Sequence, residues 1–198
     1  MPDVDLKTSQ HHWLHGLTAR FGSECVKEWS AFARTTDRYS PRLDIAVGPF
    51  STEAGARRTA AYRSLAQTHR RFLEQLWGYH SENERQHNAS SSRATPDLES
   101  ALDANRNARC FLAIEIENEV SRKHLMGGII NAVSLGHLGV AIGWNEGKVH
   151  AMFRARAYLY FLESVDKPTM RVANLLILSR DQANEAFMST DESPGGRT

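Results

Sequence analysis

Glu115 and Glu117 stand two positions apart in the run Cys110-Phe-Leu-Ala-Ile-Glu-Ile-Glu-Asn-Glu119, on an otherwise apolar strand pattern. Residues i and i+2 of a strand share a face, so Glu115, Glu117 and Glu119 line one side and Leu112, Ile114 and Ile116 the other. Like charges that close repel. Unless the run is a solvated edge, a cation belongs between them, and a divalent metal with oxygen preference suits such donors. Asp44, in Leu43-Asp-Ile-Ala-Val47, also sits opposite its strand's apolar side chains. If the two strands are neighbours, three carboxylates meet. Asp44, Glu115 and the backbone carbonyl of Ile116 could then hold Mg²⁺ (or Mn²⁺), with Glu117 as a further ligand. Such a metal lowers the pKa of bound water and offsets charge on a reacting phosphate.

The elements that must position these groups follow from hydrophobic periodicity. Trp13, Leu14, Leu17, Phe21, Cys25, Trp29 and Phe32 recur at helical spacing and predict a helix from Thr8 to about Thr35. Glu28 falls inside its apolar arc. A carboxylate there needs a partner: either it serves the site, or it pairs with an arginine, or the helix breaks at Gly22 and shifts the phase. Residues 42–50 alternate as a strand that Gly48-Pro49 stops. A long helical pattern over 53–82 carries Tyr62, Leu65, Phe72, Leu73, Leu76 and Tyr79 as its apolar stripe. Arg57, Arg63, Arg70 and Arg71 lie off that stripe as a locally basic face.

Glu82 to Thr95 is polar and serine-rich and reads as a mobile connection. Pro96 opens a short helix ending near Asn105. After the glutamate strand, a helix from about Ser121 to Gly136 is followed by an apolar strand, Leu138 to Trp144. A helix ending near Val165, a strand at Ala173–Leu178 and a helix at Asp181–Met188 complete the chain, with a disordered tail at 189–198. Strand, helix, strand, helix, strand from residue 110 onward predicts parallel pairing with helices on both faces.

These residues resemble the PD-(D/E)XK nuclease superfamily, whose fold is the restriction-endonuclease-like α/β domain. The family's pattern is an acidic helix, a strand bearing an aspartate, a strand bearing Glu-x-Lys, then a helix and another strand. Glu28, Asp44, Glu115-Ile-Glu117, the helix after Ser121 and the strand at Leu138–Trp144 occur here in that order. The resemblance implies one nuclease domain over 1–188 with a mixed sheet flanked by helices and a helical insertion at about 53–107. It implies a metal-dependent hydrolase of phosphodiester bonds, most naturally in DNA, with Asp44, Glu115 and Glu117 at its centre and Glu28 as an outer acid. The chain departs from the pattern at Glu117, which holds the lysine position. Either Glu117 binds a second metal or orients water, or Lys123 or His124, in the next helix, supplies the missing positive charge. The arginine face would grip DNA phosphates. A homodimer is a common assembly for such enzymes. The alternative is a catalytically inactive nuclease-fold protein that binds nucleic acid or assists assembly.

Composition narrows the remaining classes. A formal charge of +1 over 198 residues gives no global attraction to nucleic acid or membrane, so nucleic-acid binding must come from a local patch. No apolar run approaches the roughly 20 residues that span a bilayer. Cys25 and Cys110 read as reduced core thiols of a cytoplasmic protein. His137 and His150 lack ligands at zinc-site spacing, and Gly127-Gly128 reads as close packing rather than a phosphate loop.

Overall fold

A computed structural model describes residues 5–22, 24–32, 40–52, 58–87, 96–118, 121–167 and 170–189. In chain order the elements are α1 (Leu6–Phe21), β1 (Cys25–Ser30), β2 (Arg42–Val47), α2 (Thr59–Thr68), α3 (Arg70–His87), α4 (Leu98–Ala104), β3 (Cys110–Glu117), α5 (Arg122–Leu135), β4 (Gly136–Gly143), α6 (Glu146–Ser164), β5 (Leu175–Ser179) and α7 (Arg180–Met188). The serine-rich run and nearly all of the tail lie outside the described residues.

The five strands form one sheet in the order β1-β2-β3-β4-β5. β1, β2 and β3 pair antiparallel, whereas β3, β4 and β5 pair parallel through the crossover helices α5 and α6. Residues of α1, α2, α3, α4 and α7 pack with Ile45, Val47, Leu112, Ile114, Val140 and Leu178 on one face. Residues of α5 and α6 pack with Ala141, Leu175 and Ile177 on the other. The chain is thus an α/β domain with a mixed open sheet covered on both sides, as its periodicity requires. Among the described residues, no helix is long and apolar enough to cross a membrane.

Two expected helices are corrected. The helix expected to continue to Thr35 ends at Phe21, where Gly22 takes φ +83° and its N–H donates to the Thr18 carbonyl. Glycine adopts that left-handed conformation without steric cost, and here it turns the chain into β1. Apolar residues at 21, 25 and 29 misled because a spacing of four satisfies both helical and strand periods. The 53–82 pattern is two helices, separated at His69. Other elements fall within a few residues of expectation, and α7 carries a capping box between Ser179 and Gln182.

The open edge at β5 is closed by side chains of α3. Ile177 N–H donates to His80 Nδ1 (3.0 Å), and Asn83 Nδ2 donates to the Ile177 carbonyl (3.0 Å). Two residues one helical turn apart therefore satisfy both backbone groups of one edge residue, taking the place of a further strand. Below them the buried Arg156 pairs with Glu84 and lies over the rings of Phe153 and Tyr160. Removing one partner of a buried ion pair strands the other charge, at about 3–5 kcal/mol. Glu84→Gln should accordingly lower the free energy of unfolding by about 3 kcal/mol in a urea titration, and a loss below about 1 kcal/mol would contradict this view of the α3–α6 contact.

Candidate active site

β2 and β3 are adjacent, so Asp44 and Glu115 do meet. Their registered pairing runs from Val47–Leu112 to Ile45–Ile114, and the next step along each strand sets Asp44 opposite Glu115. On the far side of β3, Glu115 pairs with Ala141 of β4. Beyond the last registered pair the Ile116 N–H turns to a side chain, donating to Asp44 Oδ2 at 2.7 Å. Asn131 Nδ2, from the inner side of α5, donates to Glu115 Oε1 at 3.1 Å. Both carboxylates are thereby fixed, one by backbone and one by an amide.

Their protonation follows from this packing. Burial, followed by the Asp44 charge, pushes the Glu115 carboxyl up to about 9, against the bond from Asn131. Asp44 is raised by burial, partly offset by the Ile116 N–H. The protonated Glu115 carboxyl donates a hydrogen bond to Asp44, which raises the one and lowers the other, so the pair holds a proton between them near neutrality.

Both residues line a cleft of about 420 Å³ between β3 and α5, together with Ile116 and Glu117, and with the exposed Lys123 and His124 at its rim. Gly128 stands over Glu115: a Cβ there would lie 3.6 Å from the Glu115 Cβ. A Cβ at Gly127 would meet nothing within 4 Å. A side chain at 128 would thus make ordinary contact with Glu115, and one at 127 would project into open space.

The expected meeting of three carboxylates is reduced to two. Among the described residues, no three His, Cys, Asp or Glu side chains are placed to hold a metal ion together. Glu117 shares the cleft but lies one strand repeat beyond Glu115, against Gly143, and is 8% exposed. Same-face neighbours on a strand are about 6.5–7 Å apart. The donor set of Asp44, Glu115 and the Ile116 carbonyl is hard oxygen throughout. A divalent cation such as Mg²⁺ or Mn²⁺ suits it, because two buried carboxylates otherwise have to share a proton.

Glu28 reaches this neighbourhood by a different route from the one expected. It stands on β1, exposed, with φ +51°, and the register of Lys27–Ile45 and Trp29–Leu43 sets it across from Asp44. Both alternatives to a helical role are realised, since the helix breaks at Gly22 and Arg42 lies 3.8 Å from Glu28. Its charge nevertheless raises the pKa of both Asp44 and Glu115. A non-glycine residue in the left-handed region inside a strand is strained, and such strain clusters at functional sites.

The arginine face lies elsewhere. Arg63, Arg70 and Arg71 belong to α2 and α3, which cover the sheet face opposite the cleft. Arg63 pairs with Asp103 (3.0 Å), and Arg70 with Glu74 (2.8 Å) and Glu99, while Arg71 is exposed. Arg57 and Glu119 lie outside the described residues. His137 is buried and stacks on Tyr62 at 5.3 Å between ring centres. Burial raises both cysteine thiols, Cys25 to about 11, so neither is a ready nucleophile.

Sequence reasoning missed Asn131. Its signal was a single amide in the apolar stretch Ile129-Ile-Asn-Ala-Val133, on the helix that follows the glutamate strand. Comparison with family models, with curated proteins and with solved structures gives no match to this chain.

Proposed function

We propose that the protein is a Mg²⁺-dependent nuclease that hydrolyses phosphodiester bonds, with DNA as its substrate. The observation that carries the reading is the Asp44–Glu115 pair, opposed on neighbouring strands in a cleft and sharing a proton that a cation would displace. The order of elements supports it: α1, then the antiparallel β1 and β2 with Asp44 on the second, the helices α2–α4, β3 with Glu115-x-Glu117 antiparallel to β2, then a helical crossover through α5 to the parallel β4. From Asp44 onward that is the order the nuclease resemblance implies, with α2–α4 in the place of the insertion, whereas Glu28 stands on β1 and not on the acidic helix of the pattern.

Asp44, Glu115 and the Ile116 carbonyl are the groups that would hold the metal. When bound, Mg²⁺ or Mn²⁺ supplies a lowered pKa for water and compensation of charge on the phosphoryl oxygens. The Ile116 N–H and Asn131 hold the two carboxylates in place beforehand, which limits reorganisation. Glu117 offers a carboxylate acceptor for a water further along the cleft, and Lys123 a cation for a phosphate at the rim. Purified protein should nick plasmid DNA with Mg²⁺ or Mn²⁺, and Asp44→Ala should end the nicking. Nicking that survives the substitution sinks the assignment.

One observation favours a second reading, a nuclease-fold protein that binds nucleic acid without cutting it. A buried glutamate occupies the place of the motif lysine, and Lys123 at the exposed rim is the described cation lining the same cleft. Saturable Mn²⁺ binding without cleavage of any DNA would favour that reading.

A further inference from the structure

The outer face of α6 carries an apolar stripe that nothing in the described chain covers. At 100° per residue Arg154, Ala157, Tyr158, Phe161 and Val165 fall within an arc of about 100°, on the side of the helix away from Met152 at the cleft. Tyr158 is 53% exposed, Phe161 57% and Val165 46%, and Met170 follows at 40%. Among the described residues the other exposed large apolar side chains, Val26 and Met188, stand on other elements, β1 and α7. Two neighbouring aromatic rings open to water mark an interaction surface.

The charges along the stripe differ at its two ends. Arg154 stands toward the start of the helix, whereas the last turn carries no basic residue and is followed by the exposed Asp166. Among the described residues neither Arg154 nor Asp166 has an ion-pair partner. Close by, Glu163 pairs with Arg171 at 4.0 Å, and Lys167 lies beyond the helix. The end of a helix also carries the negative pole of its dipole and favours a cation. The stripe is therefore complementary to itself about its middle. With α6 laid antiparallel on α6 of a second copy, Tyr158 of each meets Phe161 of the other, and Arg154 comes level with Val165 of the other copy, beside Asp166. A parallel arrangement would set Arg154 against Arg154.

We infer that this face of α6 is a self-association surface, on which two copies of the chain pair antiparallel about a two-fold axis between Tyr158 and Phe161. The chain itself supplies no second stripe to cover it, because the segments outside the described residues hold only Met1, Val4, Tyr39 and Val120 as large apolar side chains. A polynucleotide would need a run of cations along the stripe, and α6 offers only Arg154 there. Three half-exposed side chains give roughly 300 Å² per copy, well under the roughly 800 Å² a side of a standard interface, so the dimer is reversible, with a dissociation constant on the order of 10 µM or weaker. Met152 lies on the opposite side of α6, so pairing leaves the cleft open and does not depend on what the cleft does.

Sedimentation equilibrium of the full chain from about 5 to about 500 µM reads the association directly. A reversible monomer–dimer equilibrium is expected, and Phe161→Glu should weaken it at least about tenfold while the thermal transition stays in place, since the side chain is exposed. Val165→Glu should dimerise about threefold or more tightly than Val165→Arg, because the new charge faces Arg154 of the other copy, and the order should reverse when Arg154→Glu is added to both. Protein that stays monomeric throughout overturns the inference, as does a dimer indifferent to Phe161→Glu, which would pair through another surface. Val165→Glu no tighter than Val165→Arg overturns the antiparallel pairing. A monomer that instead binds a single-stranded oligonucleotide or anionic vesicles, and loses that binding in Phe161→Glu, overturns it too and assigns the stripe to that ligand.

Discussion

Glu115→Gln is expected to abolish metal-dependent cleavage and, at the same time, to raise the melting temperature of the metal-free protein at pH 8. Loss of a group that stabilises transition-state charge is felt on a scale of about 10³-fold or more, which sets the expected fall in rate. The gain in stability comes from the same burial that suits the residue to a cation. In the folded chain Glu115 holds its proton up to about pH 9, whereas an unfolded glutamate releases it near 4.5. Between those values the folded state binds more protons than the unfolded state, so stability falls as pH rises, by up to about 1.4 kcal/mol per unit. Glutamine copies the protonated form: its oxygen still accepts from Asn131 Nδ2, and its amide can donate to Asp44. It does not titrate. At pH 5 the variant and wild type should therefore melt within a few degrees of each other, while at pH 8 the variant should melt roughly 8–17 °C higher, at about 2–4 °C per kcal/mol for a chain of this size. Thermal unfolding followed by circular dichroism in excess chelator measures both. A variant that is less stable than wild type at pH 8 would mean that Glu115 is an ordinary structural acid.

The central row of the site was legible in the sequence because strand parity is a strong constraint. A two-residue period decides which side of β3 carries Glu115 and which carries Ile114, and no tertiary contact can change that without breaking the strand. Asp44 was legible for the same reason, lying out of phase with Ile45 and Val47. The pairing of the two strands was a conditional statement in the sequence, and the β2–β3 register resolves it. Glu117 shows the limit of parity: it shares the face and the cleft of Glu115 but stands a strand repeat further on, and among the described residues no three such side chains are placed to hold one metal ion.

Two features were beyond periodicity. The α1–β1 boundary depended on Gly22 adopting φ +83°, and the residues on both sides of it fit a helix equally well by spacing. Placing Glu28 on β1 moved it from a helix arc to a position across the sheet from Asp44, where its charge acts on both carboxylates although Arg42 lies beside it. The arginines of α2 and α3 were read as one solvent face because a helical projection shows which residues share a side and nothing about what stands opposite. Asp103 and Glu99, far along the chain on α4, supply the counter-charges. The described basic side chains that line the cleft are instead Lys123 and His124, exposed at the start of α5.

Mn²⁺ affinity is expected to rise about tenfold for each pH unit between about 6 and 8.5, because the ion and the Glu115 proton compete for one site. Metal ligands must be deprotonated, so each ion bound below the pKa of its ligand releases a proton. With Glu115 raised to about 9, the affinity should keep climbing through the physiological range and level off above it, unlike that of a solvated carboxylate site, which is already saturated with respect to pH by about 6. Asp44 is raised as well, so the slope steepens toward the acid end of the range as a second proton must leave. Isothermal titration in two buffers of differing ionisation heat should give release of about one proton per Mn²⁺ at pH 7.5. Glu28→Gln provides the internal check. Glu28 contributes to the raised pKa of both carboxylates, so removing its charge should bring the plateau to lower pH and reduce the protons released, without removing Asp44, Glu115 or Ile116. An affinity that does not change between pH 6 and 8, with no buffer-dependent heat, would show that no shared proton stands between these carboxylates and that their opposition on β2 and β3 is not a cation site.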